Sequence, residues 1–495
     1  MAKLKDTIAE VRAREQEEGR LSVKEYISYA VSNFGFGSLG VMSGGYLLQF
    51  YAAIGIAVDK AGAVIAASRV WDLVNDPIIA TIIDRGKTGG PGRRGKFTRW
   101  LAPLVPFYTV AAILMFINPP VGGVSAKIAV CFAAYFIYEI FSTFAGVSFQ
   151  SMQAVMSPLL DERSNYITFG NLGDKLKGAL PGLIPVAFDL LTKGGGARAP
   201  MLRESTFYTL CAVFFCGIGG AAAMFSKNLK ERVFAPKQGQ RLLDNFATFF
   251  KNKYYLLLWT ANLANLISAV GWTAAPFYYM HSVGNYGVQT LVWTVTGIPT
   301  FLVMLLSPLF LKRFAPRRVV IFNKLLSAGC QIAMYFACGA AGYASPLGIA
   351  LLIGFFLISS IPGGVADVAN NICNINTFDY TEWETGERAE ATTFVVGGML
   401  NKGVNSLGPL IAGVLLARAG FESGENVVFS QFTKDRMFLY YTVFPAVGTL
   451  LSAIPYFFYK LEGPLLDKVQ ADLAERRKLT LPDRNESPSL IPYSP

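Results

Sequence analysis

Two carboxylates, Asp72 and Asp76, stand four residues apart in the stretch Arg69-Val70-Trp71-Asp72-Leu73-Val74-Asn75-Asp76-Pro77, inside a long apolar segment. At that spacing both acids share one face of a helix. A charged side chain at the centre of a bilayer costs roughly 2.5–3.5 kcal/mol on insertion scales, so acids kept there face a protein interior or a water-filled cavity. Such a pair can hold a hard cation between its oxygens, or share a proton. The same residues could instead serve only as partners of Arg69 in a buried ion pair.

The elements that must position this pair are membrane helices. Hydrophobic residues make up 53% of the 495 and charged residues only 16%, against about 25% charged in a soluble domain. Mean hydropathy is +0.40. Apolar runs long enough to cross a bilayer predict twelve spans, at 25–56, 60–84, 101–119, 124–156, 165–193, 206–227, 254–282, 288–312, 317–341, 345–377, 389–419 and 436–459. The first twenty residues are charged and lack the apolar core of a cleavable signal.

Basic residues set the orientation. Arg85, Lys87, Arg93, Arg94, Lys96 and Arg99 follow span two. Lys227, Lys230, Arg232, Lys237, Arg241, Lys251 and Lys253 lie in the central connection, and Lys312, Arg313, Arg317 and Arg318 follow span eight. With twelve spans these all fall on one side, which predicts a multi-pass plasma-membrane protein, in a bacterium an inner-membrane protein, with both termini cytoplasmic. The net charge of +11 is thereby explained by short connections, and binding of nucleic acid has no support.

Enzyme chemistry has none either. The cysteines (131, 211, 216, 330, 338, 373) form no CxxC pair and read as packing residues. The single histidine, His281, falls near the outer end of span seven and reads as interfacial or packing. No nucleophile elbow, phosphate loop or metal-ligand cluster stands out, and Ser and Asp without a histidine partner do not make a hydrolase. No cofactor is expected.

The chain divides into a cytoplasmic N-terminal segment (1–24), a first six-helix bundle (25–227), a central cytoplasmic loop (228–253), a second six-helix bundle (254–460) and a polar, partly disordered tail (461–495). That is an all-α membrane protein of twelve transmembrane helices in two bundles, a layout that resembles the major facilitator fold. A faint repeat relates the halves: Asp76-Pro77 with Arg93-Arg94 in the first, Ser307-Pro308 with Arg317-Arg318 in the second. Asp76 thus has no acidic counterpart, which assigns a cation site to the first bundle alone.

The motifs resemble one family closely. Arg69-x-Trp71-Asp72-x-x-Asn75-Asp76-Pro77, then Asp84, then Arg94-Gly95-Lys96-Phe97-x-x-Trp100, look like the signature of the glycoside–pentoside–hexuronide:cation symporters. Leu160-Asp161-Glu162-Arg163, Asp379-Tyr380-Thr381-Glu382-Trp383 with Gly386-Glu387-Arg388, and Lys402-Gly403 extend the likeness over nearly the whole chain. The resemblance implies that Asp72 and Asp76 bind the coupling ion, Na⁺ or H⁺, with Asn75 beside them, a span-four hydroxyl at Thr143 completing the site and Lys402 facing it.

The sugar side departs from the family's galactoside carriers. Their span-one Lys-Asp pair falls at Phe36-Gly37, the span-four Asp and Trp at Gly146 and Gln150, the span-five Arg near Gly173, and the span-ten Trp at Asp367. Polar residues at depth are the candidates to replace these contacts. They are Gln150, Asn171, Asp174, Lys175 and Lys177, Asn262 and Asn265, and the stripe Asp367, Asn370, Asn371 and Asn374 on one face of span ten. Interhelical hydrogen bonding is the plainer reading of each. Glu139 in span four is a further buried acid with no assigned partner.

Loop residues Asp84, Arg94, Asp161, Arg163, Asp379, Glu382 and Arg388, with Lys96, are expected to cluster at the cytoplasmic mouth and gate it. The function expected is cation-coupled symport of a sugar, glycoside or sugar acid by alternating access, as a monomer in the lipid bilayer. A charged or amphipathic solute that is not a sugar is the alternative. A non-transporting sensor or scaffold on the same fold is disfavoured, because a scaffold has no use for buried charge.

Overall fold

A computed structural model describes residues 20–85, 95–157, 166, 169–170, 173, 176–177, 181–192, 201–232, 252–385, 407–423, 427 and 429–480. Among the described residues there are helices and no strand. The helices are α1 (Val23–Gly45), α2 (Leu47–Ala53), α3 (Val58–Arg85), α4 (Thr98–Leu114), α5 (Val124–Val155), α6 (Ile184–Thr192), α7 (Glu204–Ala223), α8 (Lys253–Phe277), α9 (Gly287–Leu305), α10 (Ser307–Leu311), α11 (Pro316–Ala341), α12 (Pro346–Thr385), α13 (Leu407–Arg418), α14 (Gln431–Phe458) and α15 (Pro464–Thr480). A described helix overlaps each of the twelve predicted intervals.

Among the described residues, seven stretches are long and apolar enough to cross a membrane: Val124–Met152, Glu204–Asn228, Lys253–Val283, Gly287–Leu305, Pro316–Ala341, Pro346–Glu384 and Gln431–Phe458. Helix α3 has 28 residues, ample length for a span, but Asp59, Lys60, Arg69, Asp72, Asp76, Asp84 and Arg85 lower its apolarity. The helix that carries the proposed chemistry is thus among those hydropathy marks least well. Local chemistry sets the ends: Ser22 and Glu25 form a reciprocal capping box at the start of α1, which satisfies two otherwise orphaned backbone donors.

The chain forms two compact units that do not follow the sequence halves. The first holds Met1–Gln238, Ala269–Trp293 and Lys402–Tyr441. In it α1 lies on α7, α3 on α5, and α4 on both α5 and α7. Its core gathers Tyr29, Leu101, Phe149, Met152, Met156, Tyr166 and Leu229. The segments from the second half join through close backbone contacts. A Cβ added at Gly62 of α3 would stand 2.5 Å from the Pro409 carbonyl oxygen, and one at Gly413 of α13 would stand 2.5 Å from that of Val58. Beside this seam the Gly287 amide donates to Asp189 at 2.6 Å, and Thr290 donates to the Gly182 carbonyl at 2.6 Å.

The second unit holds Gly239–Ser268, Thr294–Asn401 and Thr442–Pro495. Helix α12 packs on α11 and on α15. Here two expectations need correction. Span ten does not stop near 377: α12 continues to Thr385, because no Pro or Gly interrupts it after Gly364 until Gly386. Asp379 and Glu382 therefore stand on a helix and not in a loop. The tail is not simply polar and disordered. Val469 and Leu473 of α15 are buried with Leu461 in the same cluster as Tyr254, Tyr380 and Tyr459, with Leu465 and Leu466 packed against it, and Trp383 donates its indole N–H to Asp472 at 2.8 Å. An apolar spacing of i, i+4, i+8 in a charged segment produces this stripe.

Candidate cation and solute site

The span-two acids meet span four inside the first unit. Thr143 of α5 donates its hydroxyl to Asp72 Oδ1 at 3.0 Å, and Asn75 Nδ2 donates to the same hydroxyl at 3.2 Å. Asp72, Asn75 and Thr143 are 8%, 5% and 4% exposed. Asp76 follows one turn later, half-buried, with Oδ1 shielded from solvent. The spacing puts 72, 75 and 76 on one side of α3, and Thr143, the hydroxyl the family resemblance implies, enters from α5. Ring contacts fix the helices around it. Trp71 lies against Phe136 at 4.8 Å, and Trp100 of α4 stacks on Phe144 at 4.9 Å.

The arrangement suits a hard cation. Carboxylate, hydroxyl and amide oxygens are the ligands such an ion takes, and all belong to buried side chains. In the present geometry the Thr143 hydroxyl satisfies Asp72, and the Asn75 amide turns its nitrogen inward. A turn of the hydroxyl and a flip of the amide would present both oxygens to the same point as the Asp72 carboxylate. Among the described residues no group of three or more His, Cys, Asp or Glu could hold a metal. Lys402 lies outside the described residues.

A second polar layer continues outward along α5. Arg69 Nε donates to the Tyr135 hydroxyl at 3.5 Å, and Tyr135 is within electrostatic reach of Glu139. Glu139 is 7% exposed and accepts from Ser142 at 3.0 Å. Tyr138 bonds Ser43 of α1 at 2.9 Å and Tyr108 of α4 at 3.5 Å. The acid without an assigned partner thus stands among tyrosines and near the arginine.

On the solute side, Gln150 is exposed, while Asn171, Asp174 and Lys175 lie outside the described residues. Phe36 packs on Phe149 at 5.0 Å. The absence of the family's span-five arginine is enforced by packing: a Cβ at Gly173 would stand 2.1 Å from the Ala30 carbonyl oxygen of α1. Gly146 has nothing within 4 Å of an added Cβ, so this face of α5 borders open space.

In the second unit, Asn262, Asn265, Asp367 and Asn371 are exposed. Asn370 accepts from the Tyr456 hydroxyl of α14, and Asn374 donates to the Asn370 carbonyl of its own helix at 3.0 Å. Lys324 of α11, which the sequence reading passed over, lies beside them. Its ammonium donates to Ser452 at 2.8 Å and sits 5.5 Å from the Tyr456 ring, within electrostatic reach of Asp367. A lysine amid the apolar run of span nine was the available signal.

Of the gating set, Arg94, Asp161, Arg163 and Arg388 lie outside the described residues, as does the Asp84 side chain; Asp379 and Glu382 are half-buried on α12. The inner layer has a different organiser. Glu231 accepts the backbone N–H groups of Lys96, Phe97 and Thr98 at 2.9, 2.7 and 2.8 Å, a carboxylate on the N-terminus of α4. A Cβ at Gly95 would fall 2.2 Å from that carboxyl group, which explains the glycine of the Arg94-Gly95-Lys96-Phe97 motif. Arg232 pairs with Glu25 at 2.9 Å and donates to the Met156 carbonyl at 3.2 Å. The six cysteines are free, and His281 packs on Phe429 at 4.8 Å and Phe421 at 5.6 Å.

Among the described residues, helices long and apolar enough to cross a membrane stand with a buried carboxylate–hydroxyl–amide cluster on α3 and α5. The model of the MFS/sugar transport protein family matches residues 28–463, and the chain belongs to that family, as the span-two motif led us to expect. It is 26% identical over 468 residues to the uncharacterized symporter YjmB of Bacillus subtilis (strain 168), covering 93% of this chain and 97% of that one. It is 23% identical over 482 residues to a putative sulfoquinovose importer of Escherichia coli (strain K12), covering 95% and 98%. Among solved structures, a bacterial homologue of the human lysosomal transporter Spinster, inward-facing and unoccupied, superposes with a TM-score of 0.60 at 13% identity, covering 91% of this chain and 97% of that one; this likeness is one of fold.

Proposed function

We propose that this protein is a cation-coupled symporter of a sugar, glycoside or sugar acid, with Na⁺ or H⁺ as the coupling ion. One observation carries the reading: Asp72, Thr143 and Asn75 form a buried hydrogen-bonded chain between α3 and α5, with Asp76 one turn on. A cation entering this cluster neutralises the α3 face and lowers the cost of closing the solute cavity. Each ligand then raises the other's affinity, as linkage requires. The likeness to a sulfoquinovose importer supports a sugar-like solute. The loss of the galactoside contacts at Gly37, Gly146 and Gly173 leaves room for a charged or amphipathic solute as the second reading. We place the protein, as a monomer, in a bacterial inner membrane with cytoplasmic termini, on the distribution of its basic residues.

The test is uptake in proteoliposomes under an imposed Na⁺ or H⁺ gradient. Asp72→Cys and Asp76→Cys are expected to fold and to lose concentrative uptake. Uphill uptake persisting in both variants would refute the coupling role.

A further inference from the structure

Lys177 occupies the place where the resemblance puts a sugar-binding acid. Gly170, Gly173 and Lys177 fall at i, i+3 and i+7, on one side of the span-five helix. That side faces α1. A Cβ at Gly170 would stand 2.4 Å from the Tyr29 ring, Asn33 donates to the Gly170 carbonyl at 2.7 Å, and Gly173 abuts the Ala30 carbonyl. Lys177 therefore cannot turn to lipid, and its stem crosses Gly37: a Cβ there would stand 2.3 Å from Lys177 Cδ and 3.3 Å from its Cβ and Cγ. Only glycine leaves the stem this path. Next along the same face of α1, Gly40 has the Tyr138 hydroxyl at 3.9 Å as its nearest neighbour, and Gly44 has nothing within 4 Å. Gly146 and the exposed Gln150 of α5 likewise border open space. The stem thus passes Gly37, one turn of α1 from the start of this open strip.

We propose that Lys177 reads a negative charge on the solute, so that the transported species is an anion of the sugar-acid or sulfonated-sugar class. The inference rests on the sugar reading above and sharpens it. An acid at position 37 would accept hydroxyl protons from a neutral sugar. Glycine removes that acceptor, and a lysine brings three donors and no acceptor to the same place. Donors alone favour acceptor groups, a charged carboxylate or sulfonate above all. A lysine at this depth is also costly unless it meets an opposite charge. Lys177 already has an interaction within the protein, so solute binding is an exchange of partners. Asp174, three residues before it, is the internal partner its spacing allows.

The experiment uses the purified full-length chain and matched probes: D-glucuronate with D-glucose, D-galacturonate with D-galactose, and sulfoquinovose with D-glucose. Binding is read by thermal shift and by tracer uptake. The unmodified chain is expected to prefer at least one acid over its neutral twin. Lys177→Gln weakens that acid by roughly 10- to 100-fold, the loss of one charge-assisted hydrogen bond, and weakens the neutral twin by a smaller factor; Lys177→Arg retains most of the affinity. Preference of the unmodified chain for a neutral sugar overturns the inference while sparing the sugar reading, and this arm needs no variant to fold. Binding of no sugar of either charge defeats the sugar reading, and the inference with it. Restored acid binding in the Lys177→Gln/Asp174→Asn double variant assigns Lys177 to an internal ion pair and overturns the inference.

Discussion

Thr143→Val removes one oxygen from the centre of the cation cluster and changes little else in size. The hydroxyl donates to Asp72 at 3.0 Å and accepts from Asn75 at 3.2 Å. Hydrogen bonds to charged groups are worth about 1.5–3 kcal/mol, and neutral ones about 0.5–1.5 kcal/mol. A hydroxyl oxygen that turns to the cation makes an interaction of the charge-assisted class. Its loss should raise the half-saturating concentration of the coupling ion by about 10- to 150-fold. A purely structural threonine makes a different prediction. Losing it strands the Asn75 amide and the Asp72 carboxylate and lowers stability by about 1–3 kcal/mol, with no selective effect on the ion. Melting temperature therefore does not separate the two roles, but ion affinity does. Trp71 is next to Asp72 and touches Phe136, so tryptophan fluorescence can be titrated with Na⁺ and with protons on wild type, Thr143→Val and Thr143→Ser. The serine variant keeps the oxygen and should stay within a few-fold of wild type. Equal ion affinity in wild type and Thr143→Val would remove the threonine from the site.

Three further perturbations test the frame around it. Gly95→Ala sets a methyl 2.2 Å from the Glu231 carboxyl group and should displace it from the α4 N-terminus, costing about 0.5–2 kcal/mol as other lost caps do; a melting temperature unchanged in detergent would contradict this. Gly413→Val thrusts side-chain atoms at the Val58 carbonyl, 2.5 Å from the position of the new Cβ, and should part α3 from α13. A cysteine in place of Val58, 1% exposed, should then react faster with a membrane-impermeant thiol reagent applied from outside, and an unchanged rate would deny the seam its role. Leu473→Asp replaces a side chain 3% exposed and forfeits about 1.5–3 kcal/mol of burial; α15 should become sensitive to limited proteolysis, and equal resistance would show that its apolar stripe does not hold it.

The helices and the shared face of the span-two acids were legible because both rest on local periodicity. Asp72, Asn75 and Asp76 share a helix face by spacing alone. What stayed hidden depends on partners far along the chain. Gly95 reads as a loop glycine until Glu231 is seen lying against it. Gly173 reads as a lost arginine until the Ala30 carbonyl shows that no side chain fits. Lys177 was visible as an intramembrane charge, but not that Gly37 makes its path. Span ten outruns its apolar stretch because Asp379 and Glu382 are compatible with a helix, and the sequence has no breaker before Gly386. The tail helix escaped because its apolar residues are few, and their spacing matters more than their number. Lys324 could have been found by the same search for intramembrane charge that marked Asp72.

The most direct test needs no knowledge of the solute. Proteoliposomes adsorbed on a solid-supported membrane report charge displaced when the cation concentration jumps. Wild type should give a saturable transient on a Na⁺ jump or on a pH jump, and Asp72→Cys and Asp76→Cys should give none. Transients of equal size and equal half-saturation in wild type and both variants would mean that the coupling ion binds elsewhere.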